Sequence, residues 1–317
     1  MVPIRNRLFM SSDFYKITVK EVTKETQDCV SISFVIPDEF KDKFNFISGQ
    51  YLTFKKNIAG EELRRSYSLC SEASSGTHKV AIKQVENGVF STLANDSIHP
   101  GDTIDCFPPS GNFKHTPDPK IKKNYVLFAA GSGITPIISI LKSILKHESK
   151  SSVTLIYGNK GINSVIFREE IESLKNVFLN RLSVVHVFSK ENIGNPLQKG
   201  RIDKLKCENL YKAFLNSIDV DDVYICGPEQ MTLDIREVML ENNVPQKNIH
   251  LELFGTSIKK EKTETAIDSP SFDSSIELIL DGDAYNFPLN TNAENILDAA
   301  QKTGIDLPYA CKGGVCC

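Results

Sequence analysis

Residue 124 separates two hydrophobic rhythms, and that change constrains the fold of this 317-residue chain more than any other feature. From Phe14 to Phe113, short β-rich runs follow one another closely, at 15–22, 30–36, 51–54, 80–85 and 103–107, with Gly, Pro and Asn between them. Many short strands at such spacing predict a small antiparallel barrel. From Asn124 onward the pattern becomes an alternation. Residues 125–130, 153–157, 182–188 and 222–226 read as strands, while 137–145, 167–174 and 230–241 have the apolar spacing of helices. Strands alternating with helices predict an open, doubly wound parallel sheet.

A second change follows residue 256. Residues 257–274 hold a lysine-rich patch and then Ser, Thr, Asp and Pro without apolar periodicity, which is linker composition. A third unit begins at Ser275, with Asp281-Gly282 as a hairpin signal and a helical pattern over 295–303. The expected organisation is therefore a barrel domain over 10–118, an α/β domain over 119–256, the linker, and a final domain over 275–317. A chain of this length exceeds one ordinary core.

With 40 acidic and 37 basic residues the net charge is −3, so no strong field points to nucleic acid or an anionic membrane. No apolar run approaches the ~20 residues of a membrane-spanning helix, and Met1 to Arg7 lacks an apolar signal core behind it. The expectation is a cytoplasmic protein with neither nucleic-acid nor membrane partners. Cys29, Cys70, Cys106, Cys207 and Cys226 are scattered singly and read as reduced core thiols. Cys311, Cys316 and Cys317 crowd into seven residues instead. The Cys-x4-Cys spacing of Cys311 and Cys316 opens a plant-type 2Fe-2S loop, in which glycines let backbone amides approach the sulfides.

The barrel carries Arg64-Arg-Ser-Tyr-Ser-Leu-Cys-Ser71. A cation beside an aromatic beside hydroxyls suits a flavin nucleotide: Arg65 for the pyrophosphate, Tyr67 for stacking, Ser68 near the reactive ring nitrogen, with Ser66 and Lys83 as further contacts. The plainer alternative is a strand with surface arginines. Further on, Gly88-Val-Phe-Ser-Thr92 opens a helical pattern, where a glycine, free amides and hydroxyls can hold phosphate oxygens. In the second domain, Gly131-Ser-Gly-Ile-Thr-Pro136 stands between strand and helix, and Cys226-Gly-Pro228 ends a later strand. Both loops are expected to line one crevice at the carboxyl ends of the strands.

These motifs, in this order, resemble the ferredoxin-NADP reductase superfamily. The appended cysteine loop resembles the reductases of multicomponent oxygenases, and among them the reductase subunits of phenylacetyl-CoA epoxidases. The resemblance implies a flavin-binding barrel, an NAD(P)-binding sheet and a β-grasp ferredoxin-like domain. It implies FAD held by Arg65, Ser66, Tyr67, Ser68, Lys83, Gly88, Ser91, Thr92 and Phe254. It assigns Gly131, Gly133, Thr135, Pro136, Gly227 and Pro228 to the dinucleotide, places Cys226 near the nicotinamide, reads Glu252 with Phe254 as the acidic-plus-aromatic segment closing the flavin site, and counts Ser68, Cys226 and Glu252 as the catalytic residues. NADPH is expected over NADH, because Asn159, Lys160, Ser164 and Arg168 follow the second strand of the sheet and no Asp or Glu follows it immediately.

The implied reaction takes a hydride from NADPH to flavin and passes electrons singly through a 2Fe-2S centre to an oxygenase component. Of the four plant-type ligands only Cys311 and Cys316 stand in position before the sequence ends, and related reductases also carry a non-ligand cysteine where Cys317 stands. The expectation is an intact flavin and nucleotide unit ending in half a cluster site, a truncated ferredoxin-like domain. Open alternatives are a ring-hydroxylating or ketosteroid oxygenase reductase, a flavin diaphorase without a working cluster, an electron-transfer subunit of pyrimidine synthesis, and a noncatalytic nucleotide-binding sensor.

Overall fold

A computed structural model describes residues 14–58, 60–254, 273–280, 283–290 and 295–305. Six strands build the first sheet: β1 (Tyr15–Thr26), β2 (Cys29–Val35), β3 (Tyr51–Ile58), β4 (Glu61–Ser68), β5 (His78–Lys83) and, after helix α1 (Val89–Asp96), β6 (Thr103–Ser110). Their order is β4-β3-β6-β1-β2-β5, every pairing antiparallel. A bridge between Leu69 and Val80 links the two ends of that order, so the sheet curls into a barrel. Its interior is filled by Ile17, Ile32, Leu52, Phe54, Leu69 and Ile82, and Phe90 of α1 packs into the same core. Of the stretch read as a binding motif, Arg64 to Ser68 form the second part of strand β4, which pairs along its length with β3, and Leu69 to Ser71 follow it.

The second sheet is parallel, in the order β11-β10-β7-β8-β9. It comprises β7 (Asn124–Ala130), β8 (Ser152–Asn159), β9 (Leu182–Phe188), β10 (Asp222–Gly227) and β11 (Ile249–Leu253). Helices α2 (Ile134–His147) and α3 (Arg168–Val177) cover one face, while α4 (Lys204–Leu210) and α5 (Glu229–Glu241) cover the other. Burial on both faces explains why β7 runs Tyr-Val-Leu-Phe-Ala without alternation. The chain winds outward from β7 through β8 to β9, then returns to β10 beside β7. The switch point therefore lies between the carboxyl ends of β7 and β10.

Helix α2 also fastens this sheet to the barrel. Ser139 Oγ donates to the Ser71 carbonyl at 2.6 Å, Lys142 Nζ to the Cys70 carbonyl at 2.8 Å, and Lys146 Nζ to Glu72 Oε2 at 2.8 Å. These residues lie three and four apart, on one stripe of the helix. Cys29, Cys70, Cys106, Cys207 and Cys226 are all free and buried.

A separate compact unit contains β12 (Asp273–Leu280), β13 (Asp283–Asn290) and α6 (Ile296–Lys302). The two strands pair antiparallel from Asp273 with Asn290 to Leu280 with Asp283, and Ala299 and Ala300 of α6 pack with Phe287 and Leu289. Asp281, Gly282, Cys311, Cys316 and Cys317 lie outside the described residues. No helix among the described residues is long and apolar enough to cross a membrane.

Candidate functional site

The two loops at the switch point touch backbone to backbone. A Cβ added to Gly133 would collide with the Cys226 carbonyl and sit 3.1 Å from the Gly227 nitrogen, so only glycine permits this approach. Gly131 has φ +54°, and a Cβ there would meet nothing within 4 Å: its free side faces open space. The Tyr157 hydroxyl donates to the Gly131 carbonyl at 3.0 Å and steadies the turn. Thr135 Oγ1 donates to the Ser132 carbonyl at 3.1 Å, and Pro136 occupies the first turn of α2, where a missing N–H breaks no helical bond. The start of α2 has no side-chain cap, and neither does the start of α5 behind Pro228.

Across the sheet the register sets one row near the carboxyl edge: Glu252, Cys226, Ala129, Tyr157 and His186 stand side by side. In-register residues of a parallel sheet share a face. Here that face is the one covered by α2. Cys226 is completely buried, and burial, with Glu252 adding to it, pushes its thiol well up. Glu252 is 9% exposed, and burial pushes its carboxyl up to about 8, against a weaker downward pull from Ser68. Ser68 Oγ, at the end of β4, donates to Glu252 Oε2 at 3.5 Å. The last residue of a barrel strand thus meets the outermost strand of the parallel sheet. Phe254, just past β11, is exposed.

The two barrel motifs also converge. The Tyr67 ring lies 5.6 Å from Phe90 in α1, and Phe90 stacks on Phe54 at 6.2 Å, which ties β4 to the helix that Gly88 opens. Arg65 Nη1 donates to the Arg64 carbonyl at 2.7 Å, and the Ser66 and Thr53 hydroxyls pair at 2.7 Å. Ser91 is buried, its hydroxyl accepting from the Val85 N–H at 3.2 Å and donating to the Gly88 carbonyl at 3.1 Å. That hydroxyl shapes the turn, while Thr92 Oγ1 accepts from Gln84 at 3.2 Å. Lys83 pairs with Asp28 at 3.5 Å. The α1 start carries no side-chain cap.

At the end of β8, Asn159 is buried and its Nδ2 meets no acceptor. Ser164 Oγ is engaged with the Gly161 backbone at 2.7 and 3.0 Å, and Lys160 and Arg168 are exposed. The turn contains a residue that sequence reasoning missed. Glu191, beyond β9, accepts the Ile162 N–H on Oε2 at 2.7 Å. No local signal marks it; only the pairing of β8 with β9, continued by Ser189 and Lys190 N–H bonds to the Asn159 and Lys160 carbonyls, brings it there.

The residues present fit both nucleotide groups. Uncapped helix starts leave amides for phosphate, the space beside Gly131 admits a ligand, and the orphan Asn159 amide awaits an acceptor. Comparison with known families agrees: residues 16–115 match the oxidoreductase FAD-binding domain, 127–237 the oxidoreductase NAD-binding domain, and 278–317 the 2Fe-2S iron-sulfur cluster binding domain. These domains together define an oxidoreductase built for FAD, a nicotinamide dinucleotide and an iron-sulfur cluster. A subunit of the 1,2-phenylacetyl-CoA epoxidase of Escherichia coli is 39% identical over 96% of this chain and 85% of that protein. The ferredoxin reductase component of 3-ketosteroid-9-alpha-monooxygenase from Rhodococcus rhodochrous is 31% identical over 95% and 83%. Phthalate dioxygenase reductase shares the fold, with a TM-score of 0.64 and 22% identity over 96% of this chain and 85% of that one. The chain belongs to the reductase family that includes this epoxidase component, within the ferredoxin-NADP reductase superfamily.

Proposed function

We propose that this chain is the cytoplasmic reductase component of a phenylacetyl-CoA epoxidase system, oxidising NADPH and supplying electrons to a separate oxygenase component. The 39% identity over nearly the whole chain supports the choice of partner. In this reading the flavin domain spans 10–118, the dinucleotide domain 119–256, and the ferredoxin-type domain 275–317 behind a linker at 257–274. Bound FAD would supply the chemistry that links a two-electron hydride donor to one-electron acceptors.

The protein's own part is to bind, align and keep charge in check. Arg65, Ser66, Tyr67, Lys83 and the α1 start at Gly88, Ser91 and Thr92 would hold FAD, with Phe254 closing over it. Gly131, Gly133, Thr135, Pro136, Gly227 and Pro228 would hold the dinucleotide pyrophosphate and nicotinamide. Asn159, Lys160, Ser164 and Arg168 would take the adenosine end, and Cys311 and Cys316 would bind iron. Glu252 keeps its proton at neutral pH, since burial pushes its carboxyl up to about 8. A neutral carboxyl adds no negative charge where a hydride must cross. Fully buried Cys226 excludes water from the same row.

The observation that carries this reading is the Ser68–Glu252 contact, which joins the flavin strand to the edge of the dinucleotide sheet. An anaerobic titration tests it: NADPH should bleach the flavin absorbance of the purified protein. A protein that binds no flavin, or a flavin that NADPH leaves unreduced, overturns the proposal. Reconstitution with the epoxidase oxygenase component should give turnover dependent on both NADPH and phenylacetyl-CoA.

A further inference from the structure

Three consecutive residues beyond the flavin strand engage helix α2. The Cys70 and Ser71 carbonyls accept from Lys142 Nζ at 2.8 Å and Ser139 Oγ at 2.6 Å, and Glu72 Oε2 pairs with Lys146 Nζ at 2.8 Å. The same helix begins at the loop where Gly133 meets the Cys226 backbone, and Lys142 lies about 14 Å beyond Gly133 at the rise of an α-helix. Cys70 is two residues from Ser68, and its N–H donates to the Lys79 carbonyl at 2.8 Å, which holds it in the barrel. Lys142 differs from its neighbours on the stripe in what else it meets. Its Nζ also pairs with Glu170 Oε1 of α3 at 2.5 Å and stands 6.0 Å from the centre of the Phe167 ring, at the strained start of that helix. Its side chain is 15% exposed, against 52% for Lys146, so water competes less for these contacts.

Resting on the reductase reading above, we infer that Lys142 is a positioning residue for hydride transfer: it fixes the flavin strand against the two helices whose starts adjoin the proposed dinucleotide residues. α2 follows Gly131 and Gly133, and α3 opens on Arg168. A hydride crosses only a short gap, and a displacement of about 1 Å that begins far from the chemistry can cost a large factor in rate. A single ammonium bonded at once to a barrel carbonyl and an α3 carboxylate restricts that displacement, because neither partner shifts without losing a charge-assisted hydrogen bond. In this role Lys142 acts through Cys70 and Glu170 rather than on the nucleotides themselves.

The test uses the full chain with its flavin. Lys142→Met keeps most of the stem and removes the donor. In anaerobic stopped flow at saturating NADPH it should slow flavin bleaching by about ten-fold, or about 1.4 kcal/mol of barrier. Calorimetric affinity for 2′,5′-ADP, which binds only through the adenosine end, should stay within about two-fold of wild type. The long-wavelength charge-transfer absorbance that forms when NADP⁺ is added to the chemically reduced protein reports stacking of the two rings without turnover, and it should weaken in the same variant. Lys142→Arg should restore both readouts to within about three-fold. Should Lys142→Met bind no flavin, Lys142→Gln, whose shorter stem withdraws the donor, takes its place. A variant that melts lower yet bleaches at the wild-type rate with an unchanged absorbance band would make Lys142 a structural fastener and overturn the inference, as would a loss of 2′,5′-ADP affinity equal to the loss in rate. If NADPH fails to bleach the wild-type flavin, the reductase reading itself falls and takes this one with it.

Discussion

Helices in this protein begin in two ways. α4 and α6 open on side-chain caps: Asp203 accepts the Lys206 N–H at 2.8 Å, and Asn295 accepts the Asp298 N–H at 2.9 Å. α1, α2, α3 and α5 open behind Gly88, Gly133, Phe167 and Pro228 with no side-chain cap at all. An uncapped start leaves N–H groups that need an acceptor from elsewhere. The uncapped starts are those next to the proposed nucleotide residues, so the missing caps read as places kept for phosphate. α3 adds strain: Phe167 is buried at φ +59°, a conformation costly for a bulky side chain and held there by the packing around it.

The contrast can be broken at its most crowded point. Gly133→Ala forces a side chain against the Cys226 backbone and should destabilise the protein by about 3 kcal/mol, abolishing dinucleotide binding. Denaturant midpoints and a 2′,5′-ADP titration would measure both. Gly131→Ala, with open space around it, should leave stability within about 1–2 kcal/mol of wild type yet still impair binding.

A pH profile examines the strand end beside these loops. The Glu252 carboxyl is raised from 4.5 to about 8 in the fold, so the native state binds a proton that the unfolded chain has released. Its contribution is complete below 4.5 and is lost as pH rises through 8, with a slope of at most about 1.4 kcal/mol per pH unit. Glu252→Gln should flatten this part of the stability profile in thermal melts of the flavin-free protein.

The far end of α2 supplies a control. Burial pushes the Glu72 carboxyl up, but hydrogen bonds from Lys146, Ser74 and His147 outweigh it and hold it at about 2. Its stabilisation is present above 4.5 and lost as pH falls toward 2. Glu72→Ala should cost about 2 kcal/mol at pH 7 and little near pH 2, because Lys146 is half exposed. The smallest effect belongs to a capped start: Asp203→Ala should cost about 1 kcal/mol and leave nucleotide affinity unchanged.

Elements with a strong rhythm were legible as sequence. The 182–188 strand coincides with β9, and the helical pattern over 230–241 with α5 to within one residue. β4 was harder to read because Arg64-Arg-Ser-Tyr-Ser mixes polar side chains into a paired strand, and α4 harder still. In its seven residues only Cys207 and Leu210 are buried, too few to establish a period. The loops at 88–92, 131–136 and 226–228 stood out because glycine and proline are local signals of backbone need.

What the sequence determined by itself is therefore the local and periodic part: which stretches extend or coil, where the backbone must turn sharply, and which cysteines cluster. These follow from residues within a few positions of one another. The tertiary structure alone decided what meets what. Glu252 comes to Ser68 across 184 residues, Gly133 comes against Cys226, and Glu191 enters a turn beside which the sequence shows no acid. Each contact depends on strand order and register, which are set by burial of whole faces and leave no mark on the neighbours of the residues they join.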